Sequence, residues 1–595
     1  MKSFVPADYP RPQFVRENYT ILNGEWDFAF DDEDAGLSQS WYRNFPAGKS
    51  ITVPFSPETP ASGIGDTARH DVLWYRRCFA AQKSGKRTFV HFEGCDFKTD
   101  VWINGEHAGS HIGGYARFSF DISRFLRDGE NEIIVRAEDS FSLAQPRGKQ
   151  RWKDESFGCW YVQTSGIWKT VWMEEVNTVF IESVKMTPRF NEGTLEISAA
   201  VYGAEHFSKA RLAEFELEAG VSFDGVPVSR TAVSINERET VFSVNVSSRQ
   251  LYEWGFYAWS PERPSLYDIT FSLKHKGAVV DEALSYFGMR DIRIEGDTIL
   301  LNNMPLYQRL ILDQGYWKDT HLTPPDDDAL VEDIDKVMQA GYNGARKHQK
   351  TEDARFLYWA DVKGLLVWCE APANYAFSDE GAGHFTREWM EIVRQNYNHP
   401  SVITWTPFNE SWGIADVKRD RKQQLFTEAV YCLTKSYDAM RPVVCNDGWE
   451  HTVSDIITLH DYEENDGDFL KRYRDRLDAI LDNELAHNRV LSAFSAGYGY
   501  RGQPIIVSEF GGIAFDSASG WGYGNKVSSK EEYISRFDRM TSAIKCIDRI
   551  CGYCYTQLSD VQQEINGIMD IQRRFKVEPG ILKEINERKI SARYR

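Results

Sequence analysis

Near residue 290 the chain changes its hydrophobic period, and no other feature constrains its fold as much. Before that point apolar and polar residues alternate in short runs. After it, helically spaced stretches and short apolar runs take turns for about 300 residues. A period of two belongs to half-buried strands and one of 3.6 to helices, so β-sandwiches should come first and strand–helix units after them. At 595 residues the chain also exceeds what one hydrophobic core supports.

Residues 1–178 hold runs such as 87–93 and 100–103, and Asn104-Gly105 after the second suits the positive φ angles of a two-residue hairpin. Further strands are expected at 131–137 and 167–173, with no useful helix between them, which gives a jelly-roll β-sandwich. Residues 179–289 continue the alternation at 194–198, 240–244 and 267–273, a length that fits an immunoglobulin-like β-sandwich without the Cys and Trp markers of antibody domains. In residues 290–595, Leu330, Val331, Ile334, Val337 and Met338 share one helical face within 326–340, behind an acidic start and before Gly341. Helices are expected again at 356–362, 386–397 and 423–437, and extended segments at 365–368, 401–405, 442–445, 505–507 and 552–555. The series fits a multidomain β + α/β chain that ends in a (β/α)8 TIM barrel.

Barrels of this kind do their chemistry at the C-terminal ends of strands. Glu410 follows one such strand within Asn409-Glu410-Ser411-Trp412, and Glu509 follows another within Val507-Ser508-Glu509-Phe510. One glutamate after a strand is ordinarily a helix cap or an ion-pair partner. Two brought to one rim are what glycoside hydrolysis requires, one as nucleophile and one to protonate the leaving oxygen and later deprotonate water.

The segment 406–413 resembles the acid/base segment of glycoside hydrolase family 2, the family of β-galactosidases and β-glucuronidases, and 508–511 resembles its nucleophile strand. Leu22-Asn23-Gly24-Glu25-Trp26, Ser165-Gly166-Ile167-Trp168 and Trp259-Ser260-Pro261-Glu262 are similar to its sugar-binding and immunoglobulin-like domains, in the same order. The resemblance implies Glu410 as acid/base, Glu509 as nucleophile and Asn409 on the sugar 2-hydroxyl. It also implies Tyr462 as the hydrogen-bond donor to the nucleophile and Arg346 beneath it. Residues 468–489 form a charged helical insertion between Tyr462 and Glu509. Family members commonly carry a His three residues after that Arg; here His348 is one place early and Gln349 fills the slot, so either one meets sugar. Trp412, Trp521 and Tyr553 are candidate stacking platforms or core residues, and Asp447, Trp449 and Asp313 follow strands and are placed to line the site.

The resemblance implies a retaining exo-β-glycosidase, with β-galactosidase favoured on family frequency. The family's β-glucuronidases hold the sugar carboxylate with an Asn-x-Lys clamp, but this chain reads Glu564-Ile565-Asn566-Gly567-Ile568. Arg573, Arg574 and Lys576 further on keep a glucuronidase as the alternative, while Glu564 works against it. A transglycosylase would share both carboxylates, and a non-catalytic carbohydrate-binding protein would have no need of them.

The net charge of −19 gives no electrostatic case for nucleic acid. The first ten residues lack an apolar signal core and no stretch is long enough to span a bilayer, so a cytoplasmic protein acting on an oligosaccharide or glycoside is expected. Nine scattered cysteines suit a reducing compartment, and Cys551-Gly552-Tyr553-Cys554 runs into a strand rather than opening a helix, against a redox role. Two carboxylates need no cofactor. Some relatives use Mg²⁺ or Na⁺, but no ligand cluster here has convincing spacing for a metal. The resemblance further implies a homo-oligomer.

Overall fold

The computed structural model describes residues 2, 4–248, 254–488 and 490–589. Met1, Ser3 and Arg489, which figure in the sequence reading, lie outside them. No helix among the described residues is long and apolar enough to cross a membrane.

The first unit packs a six-stranded antiparallel sheet against a four-stranded one. Gly24–Phe30, Val72–Ala81 and Gly129–Glu138 form the middle of the larger sheet, and Arg87–Phe92 and Val171–Val176 that of the smaller. Their inward residues, among them Trp26, Phe28, Tyr75, Val90, Val101 and Val135, make one core. The expected hairpin joins Lys98–Ile103 to Glu106–Ile112, with Asn104 at φ 54° and Gly105 at φ 81°. The strand expected at 167–173 is broken in two, because Trp168 leaves the sandwich to join the hydrophobic cluster of the barrel.

In the second unit, Thr194–Tyr202 alternates buried and half-buried residues along its whole length, burying Leu195, Ile197, Ala199 and Val201. Each large apolar side chain so buried contributes about 1.5 to 3 kcal/mol. Three- and four-stranded antiparallel sheets close over this core. Tyr286 and Trp259 instead face the third unit, where the Tyr286 hydroxyl donates to Asp361 Oδ2 at 2.8 Å and the Trp259 indole to Asp361 O at 2.8 Å.

The third unit is the barrel. Its strands are β1 (Gln308–Asp313), β2 (Gly344–Lys347), β3 (Leu366–Glu370), β4 (Val402–Thr406), β5 (Asn446–Asp447), β6 (Ile457–His460), β7 (Ile505–Gly511) and β8 (Ile550–Thr556). Seven of them form a curled parallel sheet in the order β4-β3-β2-β1-β8-β7-β6. The strand expected at 442–445 makes only a bridge from Val443 to Trp405. Pro442 has no N–H, while the Val443 and Cys445 N–H groups donate to Asp455 and Ser454 side chains at 2.9 and 2.8 Å. Pairing resumes only as β5, beside Phe408–Asn409.

The helices include α1 (Asp327–Gln339), α2 (Ala354–Lys363), α3 (Asp379–Asn396) and α4 (Arg421–Tyr437). Asp326 caps α1 by accepting from Ala329 N at 2.8 Å, and Gly341 follows its end at φ 85°. Helix α3 starts earlier than expected, capped by Ser378, because Gly381 and Gly383 mask its first turns. The insertion after β6 carries α5 (Asp466–Tyr473) and α6 (Leu477–Leu481). Cys551 and Cys554 are buried within β8, and the Cys551 thiol donates to Asp297 O, a structural setting.

Candidate active site

Arg346, on β2, organises the rim. Its side chain is fully buried and lies 2.7 Å from Glu370, 2.8 Å from Asp447 and 2.8 Å from Glu509, and it donates to Asn409 Oδ1 at 2.6 Å. A guanidinium is suited to this because its planar fork presents five donors in fixed directions. With its oxygen pinned, the Asn409 amide nitrogen is buried and has no hydrogen-bond partner among the described residues.

Glu509, on β7, accepts from the Tyr462 hydroxyl on its other oxygen. His460, at the end of β6, lies between the carboxylates: Nδ1 is 2.8 Å from Glu410 Oε1, while Nε2 is 3.1 Å from Asp447 and 3.6 Å from Glu509. Burial works to discharge this imidazole, but the charges of Glu509 and Asp447 prevail and hold its pKa up to about 10. It is therefore an imidazolium that donates through both nitrogens. Burial would likewise raise the Glu509 carboxyl, yet the cations of His460 and Arg346 hold it down to about 2, ionised throughout the neutral range.

Glu410 stands just past the continuation of β4, and both it and Ser411 adopt left-handed backbone conformations, at φ 51° and 58°. The turn is held because Glu410 N donates to Asp447 O at 2.9 Å and Ser411 N to Asn446 Oδ1 at 3.0 Å. Non-glycine residues kept in that region carry a conformational cost and cluster at functional sites. One ligand-type atom from each of Glu410, His460 and Glu509 lies within 4.8 Å of the others.

Outward from the pair, a cavity of about 640 Å³ is lined by Glu410, Trp449, Tyr462, Tyr523, Asn488 and Leu491, among others. The last two follow the α5–α6 insertion, so the insertion shapes its outer wall. Tyr523 stacks on Tyr462 at 3.4 Å, while Trp449 meets His460 edge-on at 5.5 Å. The first unit meets the barrel near Glu564, Trp521 and Trp412. There the Tyr161 hydroxyl bonds Glu564, Gly158 O accepts from the Trp521 indole at 2.9 Å, and Trp160 approaches Trp412 at 5.8 Å.

Several candidates sit elsewhere than expected. Tyr553 is wholly buried and its hydroxyl donates to Asn586 at 2.8 Å: odd residues of β8 point out toward the helices, while Thr556, on the other face, bonds Tyr462. Gln349 is used up by the protein, donating to Glu370 at 2.9 Å and accepting from Ala373 N at 2.8 Å. His348 is the member of that pair beside the pocket, 6.0 Å from Trp412. Asp313 is buried in an ion cluster with Lys347, which also pairs with Glu352 at 2.6 Å. Asp447 lies beneath the site, and Trp521 seals the seam between units rather than offering a platform.

His460, Glu370 and Tyr523 were missed. Two had a readable signal: His460 is two positions from Tyr462, and Glu370 ends an apolar run as Glu410 and Glu509 nearly do. Tyr523 lies in a loop with no such mark.

Two β-sandwiches before a (β/α)8 barrel, with paired glutamates, one just past the continuation of β4 and one on β7, define a glycosidase-type chain of three units. Residues 19–175 match the sugar-binding domain of glycosyl hydrolases family 2, residues 179–290 a further region of that family, and residues 292–586 its TIM barrel domain. The chain belongs to glycosyl hydrolases family 2. A putative β-glucuronidase of Formosa agariphila is 26% identical over 395 residues, 64% of this chain and 45% of that protein. A β-galactosidase of Thermoanaerobacter pseudethanolicus is 25% identical over 411 residues, 66% of this chain and 52% of its own. The chain thus spans about half the length of these curated relatives. A β-glucuronidase from Ruminococcus gnavus, solved with an N1-substituted uronic isofagomine, shares the fold at a TM-score of 0.77 and 19% identity, over 97% of this chain and 99% of that one.

Proposed function

We propose that this chain is a retaining exo-β-glycosidase in which Glu509 is the nucleophile and Glu410 the acid and base. The observation that carries the reading is the spacing of the pair. One oxygen of each lies within 4.8 Å of the other, a spacing compatible with the roughly 5 to 5.5 Å between carboxyl groups of retaining enzymes.

In the first step Glu509 attacks the anomeric carbon while Glu410 gives its proton to the departing oxygen. Glu410 then takes a proton from water, which attacks the glycosyl–Glu509 ester and releases the sugar with its configuration kept. The Asn409 amide donates to the 2-hydroxyl, a bond that tightens as the ring flattens toward the transition state. His460 and Arg346 keep Glu509 anionic before attack. A non-catalytic binding protein would gain nothing from holding a buried carboxylate charged.

For the glycone, galactose rested on family frequency alone. The names of the relatives divide between β-glucuronidase and β-galactosidase, and those of the solved neighbours support the uronide over galactose.

The test is an aryl β-glycoside panel with proton NMR of the first sugar anomer released, using wild type beside Glu509→Ala. The β anomer should appear first, and the variant should lose hydrolysis by about three orders of magnitude or more. A first-formed α anomer, or a variant at the wild-type rate, refutes the assignment.

A further inference from the structure

A sugar carboxylate drawn into a buried pocket needs a cation there. The basic residues after β8 do not supply it. Arg573 is held by Asp333 at 2.9 Å, Arg574 by Asp570 at 2.7 Å, and Lys576 by Asp560 at 2.6 Å and by Ile565 O at 2.8 Å. Each is already neutralised.

Lys149 differs. It belongs to the first unit, in the stretch that meets the barrel, and is 6% exposed. Its ammonium stands 5.0 Å from the Trp412 ring, two residues from Glu410, and feels the charges of Glu564 and Glu509. Its neighbour Cys159 offers a thiol, a weak acceptor. An ammonium has three N–H groups, and no carboxylate among the described residues pairs with them.

Glu564 does not cancel this charge by direct pairing. Its oxygens are occupied by the Tyr161 hydroxyl, by Asn566 Nδ2 at 2.9 Å and by Gln314 Nε2 at 3.5 Å. Those neutral donors compensate the carboxylate and fix it as part of the seam between units. Burial alone would push the Lys149 ammonium toward neutrality; the charges of Glu564 and Glu509 counter it and keep it charged.

We infer that Lys149 is a glycone-binding residue contributed by the first unit, and that it selects a sugar bearing a carboxylate. The inference rests on the glycosidase reading of Glu410 and Glu509. It replaces a lysine on the last barrel loop with one reaching across from the neighbouring sandwich.

The test compares 4-nitrophenyl β-D-glucuronide with β-D-glucoside, whose rings differ only in carboxylate against hydroxymethyl. Wild type should favour the glucuronide in kcat/KM. Lys149→Met should lower the glucuronide-to-glucoside ratio by about 30-fold or more, and Lys149→Arg should recover part of it. Equal losses on both substrates, or an unchanged ratio, overturn the inference. A binding arm separates it from the glycosidase reading. In Glu509→Gln, D-glucuronate should quench tryptophan fluorescence at concentrations about tenfold below D-glucose or lower, and adding Lys149→Met should erase the difference. If wild type cleaves no glycoside yet this difference appears, the glycosidase reading falls and the Lys149 assignment stands. If neutral glycosides are cleaved and glucuronate binds no better than glucose, the reverse holds. A melting temperature matching wild type ensures that each variant is folded.

Discussion

Replacing His460 with glutamine removes one of the two cations beside the nucleophile while keeping a side chain able to hydrogen-bond. The nitrogen lies 3.6 Å from Glu509 Oε1. With an effective dielectric of about 20, unit charges at that distance interact by about 4 to 5 kcal/mol. At about 1.4 kcal/mol per pKa unit this is roughly three units. The sign follows from which form the cation favours. His460 stabilises ionised Glu509, so its loss raises the carboxyl from about 2 toward roughly 5. The assay is kcat/KM for an activated aryl β-glycoside between pH 4 and 8, because this parameter reports the groups of the free enzyme. Wild type should show no acid limb from Glu509 in that range. His460→Gln should fall away below about pH 5, by up to tenfold per unit. Acid limbs that overlay would refute the claim that His460 keeps the nucleophile charged.

Glu410→Ala should lose activity on alkyl glycosides by about a thousandfold while largely sparing dinitrophenyl glycosides, whose leaving groups need no proton; steady-state kinetics on the two classes check this. Tyr462→Phe should lower kcat by about ten- to a hundredfold and raise the acid-limb pKa of kcat/KM, since Glu509 loses a donor. Asp361→Ala should destabilise the fold by about 3 kcal/mol, visible as a lower urea midpoint. It would strand donors from Tyr286, His399 and Ser401, all within 3.0 Å of its carboxylate.

What could be read ahead of the structure was whatever depends on a short, regular period. Thr194–Tyr202 alternates because a sheet face is buried, and α1 carries its cap, its apolar stripe and its terminal glycine in one window. Glu410 and Glu509 were legible for the same reason, each following a buried strand. Tyr553 was misplaced because strand position says which end of the barrel a residue occupies, whereas its facing depends on register, settled only by pairing with β1 and β7. Gln349 looked available until Glu370 and Ala373 N claimed its amide. Lys149 could not be found at all, because it lies 261 positions before Glu410 and meets the site only through docking of two units.

That docking has a bearing on how the protein comes into being. Residues 19–175 are made before the barrel and could complete their own core, yet the seam between the two stays open until the barrel's last strands have emerged and Glu564 has met Tyr161. Turnover would then report assembly rather than the folding of any single part. A barrel expressed alone should fold around Arg346 and still leave its side of the seam uncovered, and a loosened seam should cost activity before it costs secondary structure.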